Sequence, residues 1–278
     1  MSLCLCASVV RFAFMSEAHP MTVPAFRAAK AAGRKLAIIT AYDYTAALIA
    51  DAAGADAVLV GDSLGMVVQG RPNPLPVSLA EMVYHTKCVA RGIKRALLIT
   101  DMPFGSYQES PSQAVRNAVK LLKAGAHAVK IEGGQRMVPA LAALVAADIP
   151  VMGHVGLTPQ SIHALGGFKV QRDGEAILDD ALAVESAGAF SMVVECVPSS
   201  LGEQVTKRVA VPTIGIGAGP GCDGQVLVWH DLLGLYDAVR PKFVKRYAEL
   251  GRDATTAVKQ YCDEVRAGTF PGAGHQFQ

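Results

Sequence analysis

Short apolar runs recur along the chain at intervals that leave room for a helix between consecutive runs. Eight such runs predict buried parallel strands, at 36–40, 57–61, 96–100, 128–132, 150–154, 191–195, 213–217 and 226–229. Residues spaced for one helical face lie between most of them, at 45–53, 79–91, 112–123, 135–146, 175–187 and near 200–208. Eight repeats of strand and helix within about 250 residues favour a single (β/α)8 TIM barrel, with a doubly wound open sheet as the alternative.

One phrase occurs three times: a helical stretch, Ala-Gly-Ala, a short apolar run and then an acid. The copies are Ala53-Gly54-Ala55 before Asp62, Ala124-Gly125-Ala126 before Glu132, and Ala187-Gly188-Ala189 before Glu195. The glycine predicts a helix end, because glycine takes the left-handed conformation at little cost. Each acid therefore falls at the carboxyl end of a strand, as does Asp101 after the run at 96–100. Chemistry in α/β barrels takes place at that end, so the phrase indicates an enzyme.

Capping residues mark where several of the predicted helices begin. Ser78 has Glu81 three positions later, which predicts a capping box. Ser110 is followed by a proline, which is favoured at the first helical position. Asp43 or Thr45 would cap the helix after the first strand.

The two ends of the chain are predicted to differ from the barrel. Residues 1–20 include an apolar stretch interrupted by Arg11, a weak match to a secretory signal, and we expect a disordered extension or an overlong start. The TIM-barrel catalytic domain is assigned to residues 21–278. Within it, residues 241–268 have helical periodicity and predict a C-terminal helical extension. We expect this extension to pack on the outside of the barrel or against a neighbouring subunit, and to offer no chemistry.

Composition narrows the class of protein. Hydrophobic residues make up 51% of the 278 residues and charged residues 18%, so a large core is easily built and further surface is expected to be buried between subunits. The net charge of +2, with both signs mixed, predicts no nucleic-acid partner. No run approaches the roughly 18 apolar residues of a membrane span, so no membrane partner is expected. The six cysteines lack zinc-site spacing, which favours reduced thiols in a cytoplasmic protein.

Asp62, Asp101 and Glu132 are the candidate metal ligands. Carboxylates from separate strands, with open coordination positions, suit Mg²⁺ because this ion usually keeps several waters. Acids that converge on one mouth would also repel each other without a cation or a shared proton. Taken singly, each acid is better explained by capping a helix or ending a strand in solvent, but the similar placement of all three favours a metal.

Four further side chains are candidates for binding or catalysis. Lys130 lies two positions before Glu132 on the same strand face, so it either pairs with Glu132 alone or, as we favour, holds a substrate carboxylate. Glu195 has apolar neighbours, and desolvation would make it a better proton acceptor near neutral pH unless a backbone N–H or a histidine satisfies it. His154 either binds a ligand or is a satisfied core histidine. Ser63 either holds a carboxylate or carbonyl oxygen or lies in a surface turn.

Together these residues suit chemistry beside a keto group. Mg²⁺ held by Asp62 and Asp101 could chelate an α-keto acid and stabilise its enolate. Glu195 could then take the adjacent proton, and Lys130 could neutralise the charge of the substrate. Such a site would make or break a C–C bond.

The glycine-rich segment 215–221 resembles a phosphate-binding loop, but the residues after it do not favour a helix. Pro220, Gly221 and Gly224 break any helix there, and a predicted strand begins at Val226. A dinucleotide site is therefore not expected, and a nucleotide-binding module remains the non-enzyme alternative. Cys196 is predicted to be inert, because its surroundings are apolar and not electropositive.

Six motifs in order along nearly the whole chain resemble the ketopantoate hydroxymethyltransferase family. They are VGDSLG at 60–65, DMPF at 101–104, VKIEGG at 129–134, GHVGLTPQ at 153–160, VECVP at 194–198 and GIGAG at 215–219. The resemblance begins at about residue 21 and ends at the PG of 271–272. It implies a TIM-barrel enzyme of pantothenate biosynthesis. Such an enzyme transfers a one-carbon unit from 5,10-methylenetetrahydrofolate to 3-methyl-2-oxobutanoate, giving 2-dehydropantoate.

The resemblance also implies residue roles and an assembly. The metal ligands of the family, around one Mg²⁺, fall on Asp62, Asp101 and Glu132, and its keto-acid contacts fall on Asp62, Ser63, Asp101 and Lys130. The proposed base of the family falls on Glu195, and its active-site histidine falls on His154. The family is typically a homodecamer, and the same is expected here.

The nearest rival is another Mg²⁺-dependent C–C lyase, of the isocitrate lyase or phosphoenolpyruvate mutase kind. Those enzymes carry a reactive cysteine in a loop similar to Lys-Lys-Cys-Gly. This sequence has no such motif.

Overall fold

Eight parallel strands close into a barrel in sequence order. The computed structural model describes residues 19–237 and 240–277. The strands are β1 (Leu36–Thr40), β2 (Ala57–Val60), β3 (Leu97–Asp101), β4 (Ala128–Lys130), β5 (Val151–Gly156), β6 (Ser191–Glu195), β7 (Thr213–Ile216) and β8 (Gly224–Leu227). Each strand pairs with the next, and β8 returns to β1 through Leu36 with Gly224 and Ile38 with Val226. The predicted (β/α)8 TIM barrel is confirmed, and the open-sheet alternative is wrong because the sheet closes on itself.

Helices lie between the strands, where the longer ones pack around the barrel, and also before the first strand and after the last. They are α1 (Val23–Ala31), α2 (Tyr44–Ala52), α3 (Leu64–Val67), α4 (Leu79–Ala90), α5 (Pro111–Lys123), α6 (Val138–Ala146), α7 (Ile162–Leu165), α8 (Gly174–Ser186), α9 (Ser199–Arg208), α10 (Trp229–Leu232) and α11 (Leu250–Arg266). Short 3₁₀ turns lie at Gln135–Met137, Pro159–Ser161 and Ala273–His275. The helices predicted between the strands are present. The pattern missed α1, and it missed α3, α7 and α10 because four residues are too few to show a helical period.

The predicted helix starts follow from local hydrogen bonds. Ser78 Oγ accepts the backbone N–H of Glu81 at 3.3 Å, and Glu81 Oε2 accepts the backbone N–H of Ser78 at 2.6 Å, so the capping box is confirmed. Asp43, rather than Thr45, caps α2, accepting a backbone N–H at 2.8 Å. Ser110 caps α5 ahead of its proline. These side chains satisfy N–H groups that a helix start leaves without a partner.

The glycine of each repeated phrase ends a helix, as predicted. Gly54, Gly125 and Gly188 have φ angles of 90°, 113° and 100°. At Gly125 an added Cβ would also lie only 2.6 Å from the Cβ of Ala90, so close packing excludes a side chain there. The chain therefore leaves each helix sharply and enters the following strand.

Side chains alternate between the barrel interior and the layer beneath the helices. Along β2, Leu59 belongs to the inner apolar cluster, whereas Val58 and Val60 belong to the outer one. At the amino-terminal end of the barrel, Phe26 of α1 packs edge to face on Phe190, with ring centroids 5.7 Å apart. Apolar side chains fill that end, which leaves the carboxyl end of the strands for polar groups.

The C-terminal extension differs from its prediction. Helix α11 begins at Leu250, although the periodicity began at 241, and none of its residues is buried. Val258 and Tyr261 are more than half exposed. Packing of α11 on the barrel is therefore not observed, and packing against a neighbouring subunit stays a prediction. Phe243 instead packs toward Gly217, at the carboxyl end of β7.

The expectation for residues 1–20 falls almost entirely outside the described residues, which begin at His19. Of the residues that the structure describes, none belongs to a helix long and apolar enough to cross a bilayer.

Candidate active site

Polar side chains take over from apolar ones at the carboxyl ends of four neighbouring strands. Each of them lies two positions beyond an apolar residue that faces the barrel interior, and therefore on the same side of its strand. The pairs are Ile99 and Asp101 on β3, Ala128 and Lys130 on β4, Met152 and His154 on β5, and Val193 and Glu195 on β6. Asp62 and Glu132 follow β2 and β4. Because side chains alternate along a strand, the barrel aims these groups into one mouth. All are at most 5% exposed except Glu195, which is half-buried.

A line of close contacts joins five of these side chains across the mouth. Lys130 Nζ lies 2.8 Å from Asp101 Oδ1 and 3.8 Å from Glu132 Oε1. His154 Nδ1 lies 3.5 Å from Glu132 Oε1, and His154 Nε2 lies 3.2 Å from Glu195 Oε2. The expectation that Lys130 could pair with Glu132 alone is wrong, because its nearer partner is Asp101.

Asp62 and Ser63, which follow β2, lie beside this line of contacts, next to Asp101. The backbone N–H of Asp62 donates to Asp101 Oδ2 at 3.1 Å. Ser63 Oγ lies 2.9 Å from the hydroxyl of Tyr42, and Ser63 lines the cavity described below. Ser63 is half-buried in the turn before α3, at the edge of this cavity.

Glu132 is the anion that does most to keep His154 charged. Burial and the Lys130 ammonium lower the pKa of His154, but Glu132 and Glu195 outweigh them and raise it to about 9. The imidazole is then cationic at neutral pH, so Nδ1 donates and cannot accept from Lys130 Nζ, 3.4 Å away. Burial raises the pKa of Glu132, but His154 and Lys130 oppose it and hold it below its usual value.

Asp62 is the carboxylate with the least compensation. Burial, together with the carboxylates of Asp101 and Glu132, raises the pKa of Asp62 well above its usual value. Burial also raises the pKa of Asp101, against the Lys130 ammonium. For Lys130, burial lowers the pKa, but the surrounding carboxylates reverse this and raise it. In the protein alone, an extra positive charge is therefore favoured beside Asp62 and Asp101.

The residues present fit a divalent cation at this position. The cluster at the strand ends holds four carboxylates and the two cationic side chains Lys130 and His154, so this cluster has a formal charge of −2 when all six groups are ionised. Asp101 Oδ1 is within 2.8 Å of Lys130 Nζ but has no aligned hydrogen bond among the described residues. Carboxylate oxygens with remaining lone pairs are the ligands that Mg²⁺ prefers.

The three predicted metal ligands are not equally placed. Nowhere in residues 19–237 and 240–277 do three or more His, Cys, Asp or Glu side chains form a ready metal-binding group. The structure brings Asp62 and Asp101 into contact, whereas Glu132 is engaged by Lys130, His154 and the backbone of Gln160. Asp62 and Asp101 are thus the better candidates for direct ligands. Glu132 is the weaker candidate, because its oxygens already have other partners.

Sequence reasoning missed two buried polar residues of the site. Gln160 donates from Nε2 to Asp62 Oδ2 at 2.8 Å and from its backbone N–H to Glu132 Oε2 at 2.9 Å. Tyr107 donates from its hydroxyl to Gln160 Oε1 at 2.7 Å. Gln160 ends the motif at 153–160, and its only local signal is a polar residue directly after Thr-Pro at the end of a strand.

A cavity of about 510 Å³ opens above the charged groups. Pro72 and Pro74 line it from the proline-rich loop after β2, and residues 168–170 line it from the long loop after β5. Residues 241–243 of the C-terminal extension line it too, and the expectation that this extension offers no chemistry stays a prediction.

A second cavity, of about 400 Å³, lies elsewhere and does not belong to this site. Lys35 and Leu36 line it at the amino end of β1, with Gly224 at the amino end of β8. This is the end of the barrel opposite to the cluster of acids.

Two expectations about neighbouring segments agree with the structure. Burial, with a contribution from Glu195, raises the pKa of Cys196 to about 12, so its thiol stays protonated and inert. The residues between Ile216 and Gly224 form a loop that leads directly into β8, with no helix start that would cradle a dinucleotide. The described cysteines, Cys88, Cys196, Cys222 and Cys262, are free.

The raised pKa of His154 predicts a pH-dependent stability. A histidine whose pKa rises from 6.5 to about 9 on folding stabilises the native state fully below pH 6.5, and this contribution is lost as the pH rises through 9. In metal-free protein, urea denaturation should show that wild type exceeds His154→Gln in unfolding free energy near neutral pH. This excess should shrink by on the order of 3 kcal/mol toward about pH 10. A difference that stays constant with pH would show that His154 is neutral in the folded protein.

Comparison with known proteins agrees with the geometry. A profile of the ketopantoate hydroxymethyltransferase family matches residues 20–273. The 3-methyl-2-oxobutanoate hydroxymethyltransferase of Moorella thermoacetica is 54% identical over 269 residues, spanning 95% of this chain and 100% of the relative. The protein of the same name from Carboxydothermus hydrogenoformans is 53% identical over 262 residues, spanning 92% and 95%.

Solved structures with this fold are more distant in sequence. Phosphonopyruvate hydrolase in complex with oxalate and Mg²⁺ has a TM-score of 0.63 at 17% identity, covering 93% of this chain and 92% of that one. The 2,3-dimethylmalate lyase, a member of the PEP mutase/isocitrate lyase superfamily, has a TM-score of 0.57 at 18% identity, covering 91% and 92%. At such identities the likeness shows the barrel alone. The family profile and the close relatives, in contrast, span almost all of the sequence, and the chain belongs to the ketopantoate hydroxymethyltransferase family.

Proposed function

We propose that this chain transfers a hydroxymethyl group from 5,10-methylenetetrahydrofolate to 3-methyl-2-oxobutanoate, giving 2-dehydropantoate for pantothenate synthesis, with Mg²⁺ as cofactor. Family membership and the names of the close relatives support the reaction. The observation that carries the proposal is the set of buried acids and cations at the barrel mouth, which can bind a keto acid and accept its proton.

Asp62 and Asp101 would hold the cation directly, and Glu132 would lie near it without being a direct ligand. When bound, Mg²⁺ supplies Lewis-acid polarisation of the keto group of the substrate. The backbone N–H of Asp62 donates to Asp101 Oδ2, so the two residues lie side by side at the mouth, where one ion could reach both carboxylates.

Lys130 and Ser63 bind and orient the keto acid in this proposal. Lys130 is 4% exposed and lines the cavity, so a substrate carboxylate there would meet a cation largely stripped of water. The Ser63 hydroxyl, held by Tyr42, can donate to a carboxylate or carbonyl oxygen. His154, cationic and in contact with Glu195, orients the carboxylate of that residue.

Glu195 is the proton acceptor of the proposed reaction. The C3 carbon of 3-methyl-2-oxobutanoate carries one hydrogen beside the keto carbon. When that C–H bond breaks, the proton moves to the Glu195 carboxylate, and the electron pair becomes available for a bond from C3 to the methylene carbon of the folate. The two C–N bonds that hold the methylene carbon break, and a water molecule supplies the hydroxyl group. The C3 proton and the second proton of that water end on the two folate nitrogens, so tetrahydrofolate leaves and the atoms balance.

The outer part of the cavity supports a second, larger substrate. A five-carbon keto acid would fill only part of about 510 Å³. The remaining wall carries aromatic and basic side chains, among them Phe168, Phe243, Lys169 and Lys242. Aromatic faces suit a pteridine ring, and lysines suit the glutamate carboxylates of a folate.

We also propose that the chain forms a homo-oligomer, a decamer as is typical of the family. It would work in the cytoplasm, and its only partners besides its own copies would be small-molecule substrates. The apolar residues that α11 leaves exposed support assembly, because a lone chain rarely presents such a helix to water. The free described cysteines support a reducing compartment.

The proposal is tested by assaying the purified protein for 2-dehydropantoate. We expect product, identified by mass, only when 3-methyl-2-oxobutanoate, 5,10-methylenetetrahydrofolate and Mg²⁺ are all present. A chelator should stop the reaction, and added Mg²⁺ should restart it. Folate-independent cleavage of 2,3-dimethylmalate or phosphonopyruvate, with no transfer, would instead support the lyase alternative.

A further inference from the structure

Gln160 uses its full hydrogen-bonding capacity inside the site. It is 5% exposed and lies in the turn Pro159–Ser161 that follows β5. Both amide hydrogens are donated, to Asp62 Oδ2 at 2.8 Å and to the carbonyl of Met102 at 2.9 Å. Its Oε1 accepts from the Tyr107 hydroxyl at 2.7 Å and from Gln108 Nε2 at 3.1 Å. A side-chain amide has two N–H donors and one oxygen with two lone pairs, and here all of them have partners.

These partners determine which way the amide points. Tyr107 Oη accepts the backbone N–H of Glu132 at 3.0 Å, and its one proton has two acceptors in reach, of which Gln160 Oε1 at 2.7 Å is nearer than the carbonyl of Glu132 at 3.1 Å. With Oε1 turned toward two donors, Nε2 must face Asp62. The backbone N–H of Gln160 also reaches Glu132 Oε2 at 2.9 Å.

We infer that Gln160 is a positioning residue for the cation site. Its amide holds one oxygen of Asp62 and its backbone holds one oxygen of Glu132, so that the second oxygen of Asp62 stays available to a divalent ion. This inference rests on the proposed function, because it assigns Asp62 to that ion.

The neutrality of the amide matters as much as its reach. A lysine in its place would orient Asp62 but cancel the charge that attracts a cation, and a carboxylate would repel Asp62. A primary amide donates without removing the negative charge. Residues that orient metal ligands in this way typically change metal affinity by about 10- to 100-fold when replaced.

The test is direct titration of the full-length protein with Mg²⁺ alone, by calorimetry, without either substrate. We expect Gln160→Met, which keeps the length but removes the donors, to weaken Mg²⁺ binding by about 10- to 100-fold. The matched control is Gln171→Met on the same loop, whose amide only donates to the carbonyl of Lys169 at 2.8 Å. This control should bind Mg²⁺ as wild type does.

The outcomes separate this inference from the proposed function. Wild type that binds no Mg²⁺ contradicts the proposed function and the inference with it. Wild type that binds Mg²⁺, with equal affinity in Gln160→Met, overturns the inference and leaves the proposed function standing.

A purely structural role for Gln160 is distinguished by a second variant and a second readout. Gln160→Lys can still donate to Asp62 Oδ2 but cancels the charge that attracts a cation, so its Mg²⁺ affinity should be lower than that of wild type out of proportion to any change in melting temperature. In steady-state assays, saturating Mg²⁺ should restore the turnover of Gln160→Met toward wild type. A lowered turnover that no Mg²⁺ concentration restores, together with affinities that simply follow the melting temperature, would refute a positioning role.

Discussion

We expect Glu195→Gln to abolish the Mg²⁺-dependent loss of deuterium from C3 of 3-methyl-2-oxobutanoate, lowering the exchange rate by about 10²- to 10⁴-fold. Glutamine matches glutamate in shape, and its amide oxygen can still face His154 Nε2, which lies 3.2 Å from Glu195 Oε2 in the wild type. It cannot accept a proton from carbon near neutral pH. Exchange can be followed by proton NMR without any folate, so the readout isolates proton removal from carbon transfer.

The control for this loss is the same substitution at an exposed position. Glu203 on α9 forms an ion pair with Lys207 at 2.7 Å and lies away from the cavity, so Glu203→Gln should exchange at the wild-type rate. Normal exchange in Glu195→Gln would remove Glu195 from its role. Another group lining the mouth would then have to take the proton.

Asp62→Asn should change metal binding and metal-free stability in opposite directions. It removes a charge from the proposed ion site. Replacing a residue that only orients a metal ligand typically lowers metal affinity by about 10- to 100-fold, and the loss of Mg²⁺ affinity here should be larger. Stability should rise, because a carboxyl whose pKa is raised on folding destabilises the native state when it is ionised. This cost is present above the folded-state pKa of Asp62 and disappears as the pH falls through it.

Calorimetry with Mg²⁺ measures the first effect, and urea denaturation in the presence of a chelator near neutral pH measures the second. Asp179→Asn, at an exposed position of α8, is the matched control and should leave both unchanged. Unchanged Mg²⁺ affinity in both Asp62→Asn and Asp101→Asn would contradict the metal assignment. Lower metal-free stability of Asp62→Asn would contradict the electrostatic account of this residue.

The barrel that this chain shares with lyases and hydrolases of phosphonates and malates does not by itself select a reaction. The same closed sheet can present many different side chains at its carboxyl end, and the chemistry follows from those. In this chain the mouth combines Asp62 and Asp101 with Lys130, and Glu195 with His154. That division into a charged binding half and a proton-accepting half is what the proposed reaction needs.

Strand and helix positions were predictable where the signal is local. Runs 36–40 and 191–195 agree with β1 and β6 at both ends. Strand β8 begins at Gly224, earlier than predicted. An added Cβ there would lie 2.5 Å from the carbonyl oxygen of Leu36, so this position requires glycine. A glycine required by close strand contact contributes nothing to a hydrophobic pattern, so the start of β8 was missed.

The site was predictable to the level of which residues reach the mouth. The acids at the strand ends and His154 were identified because strand period and strand end are properties of short segments. Their partners were not. Gln160 and Asp62 are 98 positions apart, and Tyr107 and Gln160 are 53 apart, so no local pattern records either contact.

Sequence alone thus determined the eight-stranded barrel and the set of charged side chains at its carboxyl end, because both follow from repeats within a few residues of one another. Tertiary structure alone decided which charges meet. It placed Lys130 nearer to Asp101 than to Glu132, gave Gln160 its hold on two carboxylates, and brought Phe243 from the C-terminal extension into the cavity wall. These contacts depend on how neighbouring strands and their loops lie beside each other in space, which only the closed barrel establishes.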